Sequence, residues 1–214
     1  MNVKVKICGV VDPANAVTAV DLGADLLGLN FCAASPRYVS AERAREIADA
    51  VRGRATLVGV FVNSSPEEVA DIAGRVGLDL LQFSGDEGPE ELAPFAGRAI
   101  KVFRSGGDPG AAALAPYGDA WGLLFDAPHG ALYGGTGAAW SYESVAQAVR
   151  RLPGRRVLLA GGLGPDNVRR AIEVSHPFAV DVCSRVESAP GIKDPELLRQ
   201  LFQEVQHAQA PSAS

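Results

Sequence analysis

A thiol at Cys8 and a carboxyl at Asp126 are the two groups in this chain best placed to move protons. Cys8 ends the run Lys4-Val5-Lys6-Ile7-Cys8, just before Gly9. Asp126 ends Leu123-Leu124-Phe125-Asp126, just before the glycine-rich stretch 127–137. Each stands where a short β-strand gives way to a loop. A thiolate can abstract a proton, and a carboxyl held partly out of water keeps one to donate. Each residue also has a plainer reading, Cys8 as a small buried hydrophobe and Asp126 as an Asx-turn at a loop entry.

The elements that would position them follow from the hydrophobic pattern. Short β-branched or leucine-rich runs predict strands near 3–8, 25–30, 56–62, 78–83, 99–104, 120–126, 156–160 and 178–183, with amphipathic helices between. Asp12-Pro13, Asp108-Pro109 and Asp194-Pro195 each offer a capping acid followed by proline at the first helical position. Ser65-Pro66-Glu67-Glu68 reads as a capping box, and Gly88-Pro89 and Gly164-Pro165 mark two further starts. Eight strands each followed by a helix, with no shift in composition, predict a single (β/α)₈ TIM barrel over 1–207 and a disordered polar tail at 208–214. A doubly wound open sheet is the alternative, but no GxGxxG follows the first strand.

In such a barrel the active site forms at the C-terminal strand ends, so base and acid would face each other across one mouth. Alternation puts Lys4, Lys6 and Cys8 on one face of the first strand and Val3, Val5 and Ile7 on the other. The apolar face should pack on helices, which turns the lysines and the thiol inward. Lysine is rarely buried unpaired, so Lys6 is expected to meet Asp181 of the last strand beneath Cys8. Positive charge there would favour the thiolate. Cys32 and Cys183 read as ordinary buried thiols.

Two late loops suggest an anion site. Gly161-Gly162 after the seventh strand lets backbone amides approach a phosphate closely, and Ser184 and Arg185 follow the eighth. Loops after strands 7 and 8 recur as the phosphate site of this architecture. Arg185 either supplies charge or points to solvent. The stretch 127–137 looks like a mobile flap. Arg37, on the stiff loop Ser35-Pro36-Arg37-Tyr38-Val39, suits bidentate binding of a carboxylate, although a solvated surface arginine is the commoner outcome.

The bulk numbers narrow the partners. A chain of 214 residues can bury a substantial core, and 47% hydrophobic with 21% charged residues is ordinary for a globular protein. A formal charge of −5 argues against nucleic acid or an anionic membrane. No apolar run approaches the roughly 20 residues of a membrane span, and the N-terminus lacks a signal pattern. Three separated cysteines fit reduced thiols in the cytoplasm better than disulfides, and His129, His176 and His207 share no metal-ligand spacing with them. Oligomeric state, monomer or homodimer, is not legible.

Taken in order, several segments resemble the phosphoribosylanthranilate isomerase family of tryptophan biosynthesis. They are Lys6-Ile7-Cys8-Gly9, Ser35-Pro36-Arg37-Tyr38-Val39, Gly59-Val60-Phe61-Val62-Asn63, Leu81-Gln82, Asp126 with Gly134-Gly135-Thr136-Gly137, Leu159-Ala160-Gly161-Gly162-Leu163, and Asp181 through Glu187 with Pro190-Gly191-Ile192-Lys193-Asp194. The resemblance implies an Amadori rearrangement of N-(5-phosphoribosyl)anthranilate without metal or organic cofactor. It makes Asp126 the acid, Cys8 the base, Arg37 the holder of the anthranilate end and the last two loops the phosphate site, with Gln82 also against the substrate. Three positions depart from the family pattern: Ser84 where histidine is common, Cys183 for a usual serine and Arg185 for a usual glycine. Another phosphosugar barrel enzyme, such as indole-glycerol-phosphate synthase, would favour lysine and glutamate at the strand ends, and a non-catalytic ligand-binding barrel would need no paired acid and base.

Overall fold

The computed structural model describes residues 2–104, 110–126 and 141–210. The Asp108-Pro109 helix start, His129, the glycine-rich stretch 127–137 and tail residues 211–214 lie outside these. Eight parallel strands close into a barrel in sequence order. They are β1 (Lys4–Cys8), β2 (Leu26–Asn30), β3 (Thr56–Phe61), β4 (Leu80–Phe83), β5 (Ala99–Arg104), β6 (Gly122–Asp126), β7 (Val157–Ala160) and β8 (Ala179–Val182). Helices α1 (Pro13–Asp21), α2 (Ala41–Val51), α3 (Pro66–Val76), α4 (Pro89–Leu92), α5 (Gly110–Leu114), α6 (Tyr142–Arg151), α7 (Val168–Ser175) and α8 (Pro195–Gln209) alternate with them. The barrel is therefore the TIM architecture that the strand spacing predicts. α8 runs two residues past the expected domain end, with Ala210 as its cap.

The helices begin where capping chemistry allows. Asp12 accepts hydrogen bonds from the amides of Ala14 and Asn15, Asp194 from those of Glu196 and Leu197, and Ser65 from that of Glu68. Among the described residues the Glu68 carboxylate makes no return bond to Ser65, so that capping box is half formed. α7 starts later than Gly164-Pro165 suggests, at Val168. The reason is Asn167, whose side chain accepts from the Gly164 amide at 2.9 Å and donates to the Gly162 carbonyl at 3.0 Å. Those two bonds hold the chain in a turn first and release it into the helix afterwards.

Strand parity divides the core in two. Val5, Ile7, Leu27, Leu29, Phe83, Phe125 and Val180 point outward and pack against helix residues such as Ile47, Val69, Val145 and Leu198. Leu26, Val58, Leu80, Ile100, Leu124, Leu158 and Ala179 point inward and fill the barrel axis. Trp121 and Phe178 pack against the inner cluster, with the Arg156 guanidinium over the Trp121 ring at 4.8 Å. Lys4 stays at this N-terminal rim, paired with Asp25 at 2.6 Å.

One feature was not expected. Between β8 and α8 a two-stranded antiparallel ribbon forms from β9 (Glu187–Ala189) and β10 (Ile192–Lys193). Gly191 turns it, at φ 84 and against Val11, a backbone state and a space that suit glycine. The ribbon carries Glu187 and Lys193 to the barrel mouth.

Candidate active site

Continuing the inward parity of each strand to its C-terminal end yields one wall of side chains: Cys8 on β1, Asn30 on β2, Gln82 on β4, Arg104 on β5, Asp126 on β6 and Asp181 on β8. All six line a single cavity of about 290 Å³. Register agrees, since Asp126 pairs with Arg104 on one side and Ala160 on the other. Arg37, Gly161, Gly162 and Ser184 line the same cavity. The structure thus brings together Cys8, Asp126, Arg37, Gln82, Gly161, Gly162 and Ser184. Arg185 is turned aside, its guanidinium 2.6 Å from Asp166, and is not among the lining residues.

The base side of the mouth is densely bonded. Lys6, fully buried, donates to Asp181 at 2.9 Å, the pairing expected from the alternation of β1. Gly28 on β2 makes room for it. A Cβ there would stand 2.7 Å from the Cys8 sulfur and 3.1 Å from the Lys6 ammonium. Burial alone would lower the Lys6 pKa, but the charges of Asp181 and Cys8 outweigh it and the pKa is raised. Lys6 therefore stays protonated beside the sulfur.

The Cys8 thiol is lowered from its ordinary range to about 7. A hydrogen bond with the Cys183 thiol is the leading cause, burial opposes it, and the Lys6 cation lowers it further. The Cys183 thiol moves the other way, pushed up by the same hydrogen bond and by its burial. One thiol of the pair is thus poised to ionise near neutrality while its neighbour keeps its proton.

Above these lies a second charged cluster. Glu187 accepts from Arg37 through Nε at 2.9 Å and Nη2 at 2.6 Å, a fork geometry that leaves Nη1 unused by this partner. Lys193, 1% exposed, donates to the same carboxylate at 2.7 Å and also to the carbonyls of Cys8 at 2.5 Å and Cys183 at 3.2 Å. Burial works against the Glu187 anion, and the bonds from Arg37 and Lys193 overcome it and hold its pKa below the usual range. The hydrogen bond with Glu187 likewise raises the pKa of Arg37. Gly9, at φ 70, is the floor beneath this arginine, since a Cβ would collide with the Arg37 side chain.

Two buried acceptors in the cavity wall have no hydrogen-bond partner among the described residues, Gln82 Oε1 and Asp181 Oδ1. Gln82 spends its amide group on Ser84 Oγ at 3.1 Å. The loop after β7 is held open by Gly161 at φ 101 and Gly162 at φ 61, values that favour glycine, and by the Asn167 clamp. Sequence reasoning missed Asn30, Arg104, Glu187 and Lys193 as parts of the mouth. The first two were findable from strand parity alone; the last two depend on the ribbon, which no local pattern announces.

Comparison with known proteins agrees with this arrangement. The family model for N-(5'-phosphoribosyl)anthranilate (PRA) isomerase matches residues 5–204. The N-(5'-phosphoribosyl)anthranilate isomerase of Trichlorobacter lovleyi is 41% identical over 96% of this chain and 99% of its own. That of Rubrobacter xylanophilus is 44% identical over 92% of this chain and 95% of its own. The crystal structure of phosphoribosyl anthranilate isomerase from Thermotoga maritima superposes with a TM-score of 0.85 at 35% identity, covering 96% of this chain and 99% of that one. A crystal structure of such an isomerase in complex with reduced 1-(o-carboxyphenylamino)-1-deoxyribulose 5-phosphate superposes at 0.83 with 33% identity, covering 96% of this chain and 99% of that one. Matched along nearly its whole length by both sequence and fold, the chain belongs to the N-(5'-phosphoribosyl)anthranilate isomerase family.

Proposed function

We propose that this protein isomerises N-(5-phosphoribosyl)anthranilate to 1-(2-carboxyphenylamino)-1-deoxyribulose 5-phosphate, an Amadori rearrangement in tryptophan biosynthesis, by general acid and base catalysis. The observation that carries the reading is the placement of Cys8 and Asp126 in the wall of one cavity, at the ends of β1 and β6. Asp126 protonates the ring oxygen of the ribose, and the anilino nitrogen lone pair opens the ring to an iminium. The iminium makes the C2′ proton acidic. The Cys8 thiolate removes that proton to give an enolamine, which becomes the ketone as C1′ gains a proton and the C2′ hydroxyl loses one. A positioned proton transfer of this kind contributes about 10²–10⁴-fold in rate.

The remaining groups fit the substrate's other parts. Arg37, oriented by Glu187, offers Nη1 to the anthranilate carboxylate. Gly161, Gly162 and Ser184 surround the phosphate with backbone amides and a hydroxyl, at the place where this architecture holds phosphate. Gln82 Oε1 and Asp181 Oδ1 accept from sugar hydroxyls, which would satisfy two buried oxygens otherwise costly to leave unbonded. Arg185, its charge met by Asp166 at 2.6 Å, stays at the margin of the phosphate loop. No helix among the described residues is long and apolar enough to cross a membrane. With Cys8, Cys32 and Cys183 all free thiols, the reduced cytoplasm is the natural setting.

The test is a fluorescence assay following loss of phosphoribosylanthranilate. Steady conversion with wild type, slowed by about 10²–10⁴-fold in Cys8→Ser, is the expected result. Absence of conversion by well-folded wild type would overturn the assignment, and conversion to an indole product would favour a synthase instead.

A further inference from the structure

Cys183 is placed opposite Cys8 by the barrel's own register. Ile7 of β1 pairs with Val182 of β8, and one residue further along both chains stand the two cysteines. They share the inward parity of Lys6 and Asp181, and both line the same cavity. Neighbouring strands lie about 4.8 Å apart, within the roughly 4.4–6.8 Å Cα separation that a disulfide spans. Two further contacts hold the pair in place. The Lys193 ammonium donates to the carbonyls of both residues, at 2.5 and 3.2 Å. Cys32, the third thiol, is not among the residues lining this cavity.

We propose that Cys8 and Cys183 form a redox-modification site, at which a peroxide converts the two thiols to an intramolecular disulfide and a thiol reductant restores them. The Cys8 thiolate attacks one peroxide oxygen. The O–O bond breaks, an S–O bond forms, and the second oxygen leaves with a proton as water or an alcohol. The Cys183 sulfur then attacks the Cys8 sulfenic acid. The S–S bond forms, the S–O bond breaks, and hydroxide departs as water with the Cys183 proton. Two thiols and one peroxide give one disulfide, one water and one water or alcohol, with two electrons passing from sulfur to oxygen. Lys6 keeps positive charge beside the attacking sulfur. A resolving thiol within reach also intercepts the sulfenic acid before further oxidation to the irreversible sulfinic state. The effect on turnover rests on the reading of Cys8 as the base; formation of the disulfide does not.

The experiment treats the full-length protein with hydrogen peroxide and follows activity alongside a non-reducing peptide map. Wild type should yield a Cys8–Cys183 linked peptide two hydrogens lighter than its parts. Its activity should fall by about 10²-fold or more and return with dithiothreitol. Cys183→Ala, assayed against its own reduced sample, should lose activity to peroxide without recovery and carry Cys8 as sulfinic or sulfonic acid. Cys183→Ser, which keeps a hydroxyl but no sulfur, should behave the same way and serves if the alanine variant folds poorly. A map without the linked peptide, or one pairing Cys32 instead, overturns the site, as does full recovery of both Cys183 variants. If the linked peptide forms and turnover persists, the disulfide stands and the role of Cys8 as base falls.

Discussion

Lys6 and Lys101 are both lysines buried in barrel strands and both pair with a carboxylate, yet they face opposite ways. Lys6 on β1 points to the axis, 2.9 Å from Asp181 and directly beneath Cys8. Lys101 on β5 lies between Ile100 and Val102, which point inward, so it faces the helix layer. Its ammonium donates to the Gly85 carbonyl at 2.9 Å and approaches Glu87 at 3.4 Å. Glu87 in turn accepts from the amides of Asn63 at 2.7 Å and Gly85 at 2.8 Å. Lys101 therefore staples the loops after β3 and β4, while Lys6 sets the charge around a thiol. Residue type, burial and pairing are the same; the strand face decides whether the cation governs chemistry or only backbone.

The contrast can be broken most severely at the group that Lys6 serves. Cys8→Ser should lower kcat by about 10²–10⁴-fold with little change in KM, because a hydroxyl is too weakly acidic to supply the base. Asp126→Asn should do the same from the other wall. Near-normal turnover in either folded variant, measured in steady state, would remove that residue from the mechanism.

Lys6→Met comes next. With the Cys8 pKa near 7, kcat/KM should rise with pH through that value, since only the thiolate can accept a proton. Losing the cation weakens the thiolate, so this limb should move to higher pH. The variant also leaves Asp181 buried without its ion pair, at a cost of roughly 3–5 kcal/mol in a denaturant titration. A limb that stays in place would reduce Lys6 to the structural role of its counterpart.

Arg37→Ala sharpens the picture from the substrate side. A hydrogen bond to a charged group is worth about 1.5–3 kcal/mol, so KM should rise roughly tenfold or more while kcat changes less. Unaltered affinity in a substrate titration would refute the assignment. Smallest in its effect on turnover is Lys101→Met. It should cost roughly 3 kcal/mol of stability, the low end for a broken buried pair because Glu87 keeps two amide donors, yet leave the pH profile of the folded enzyme unmoved. A shifted profile would show that the outward lysine also reaches the site.

What could be read in the chain divides along similar lines. Alternation is local, so the eight strands, the inward Lys6 and its partner Asp181 are all legible in the sequence. Lys101 was not, because a lysine between Ile100 and Val102 reads as an exposed position until the loop it holds is seen. The late start of α7 was hidden because Asn167 competes with proline for control of the turn, and both are good punctuation. The mouth's second charged cluster was least accessible of all. Arg37, Glu187 and Lys193 come from three distant places, and their meeting depends on a short ribbon without strong periodicity. The acid's glycine-rich neighbour, 127–137, where a flap is expected, lies outside the described residues.

Lys193 is 185 positions downstream of the carbonyl it grips at Cys8. During synthesis the first strand leaves the ribosome long before the segment that anchors its end has been translated. A chain terminated ahead of residue 193 would carry the thiol without the cation that ties it to Cys183, just past β8. Truncated products and chains nicked at the ribbon should accordingly bind and react poorly even where most of the barrel has assembled. In this molecule the thiol's setting is complete only once the ribbon has been made.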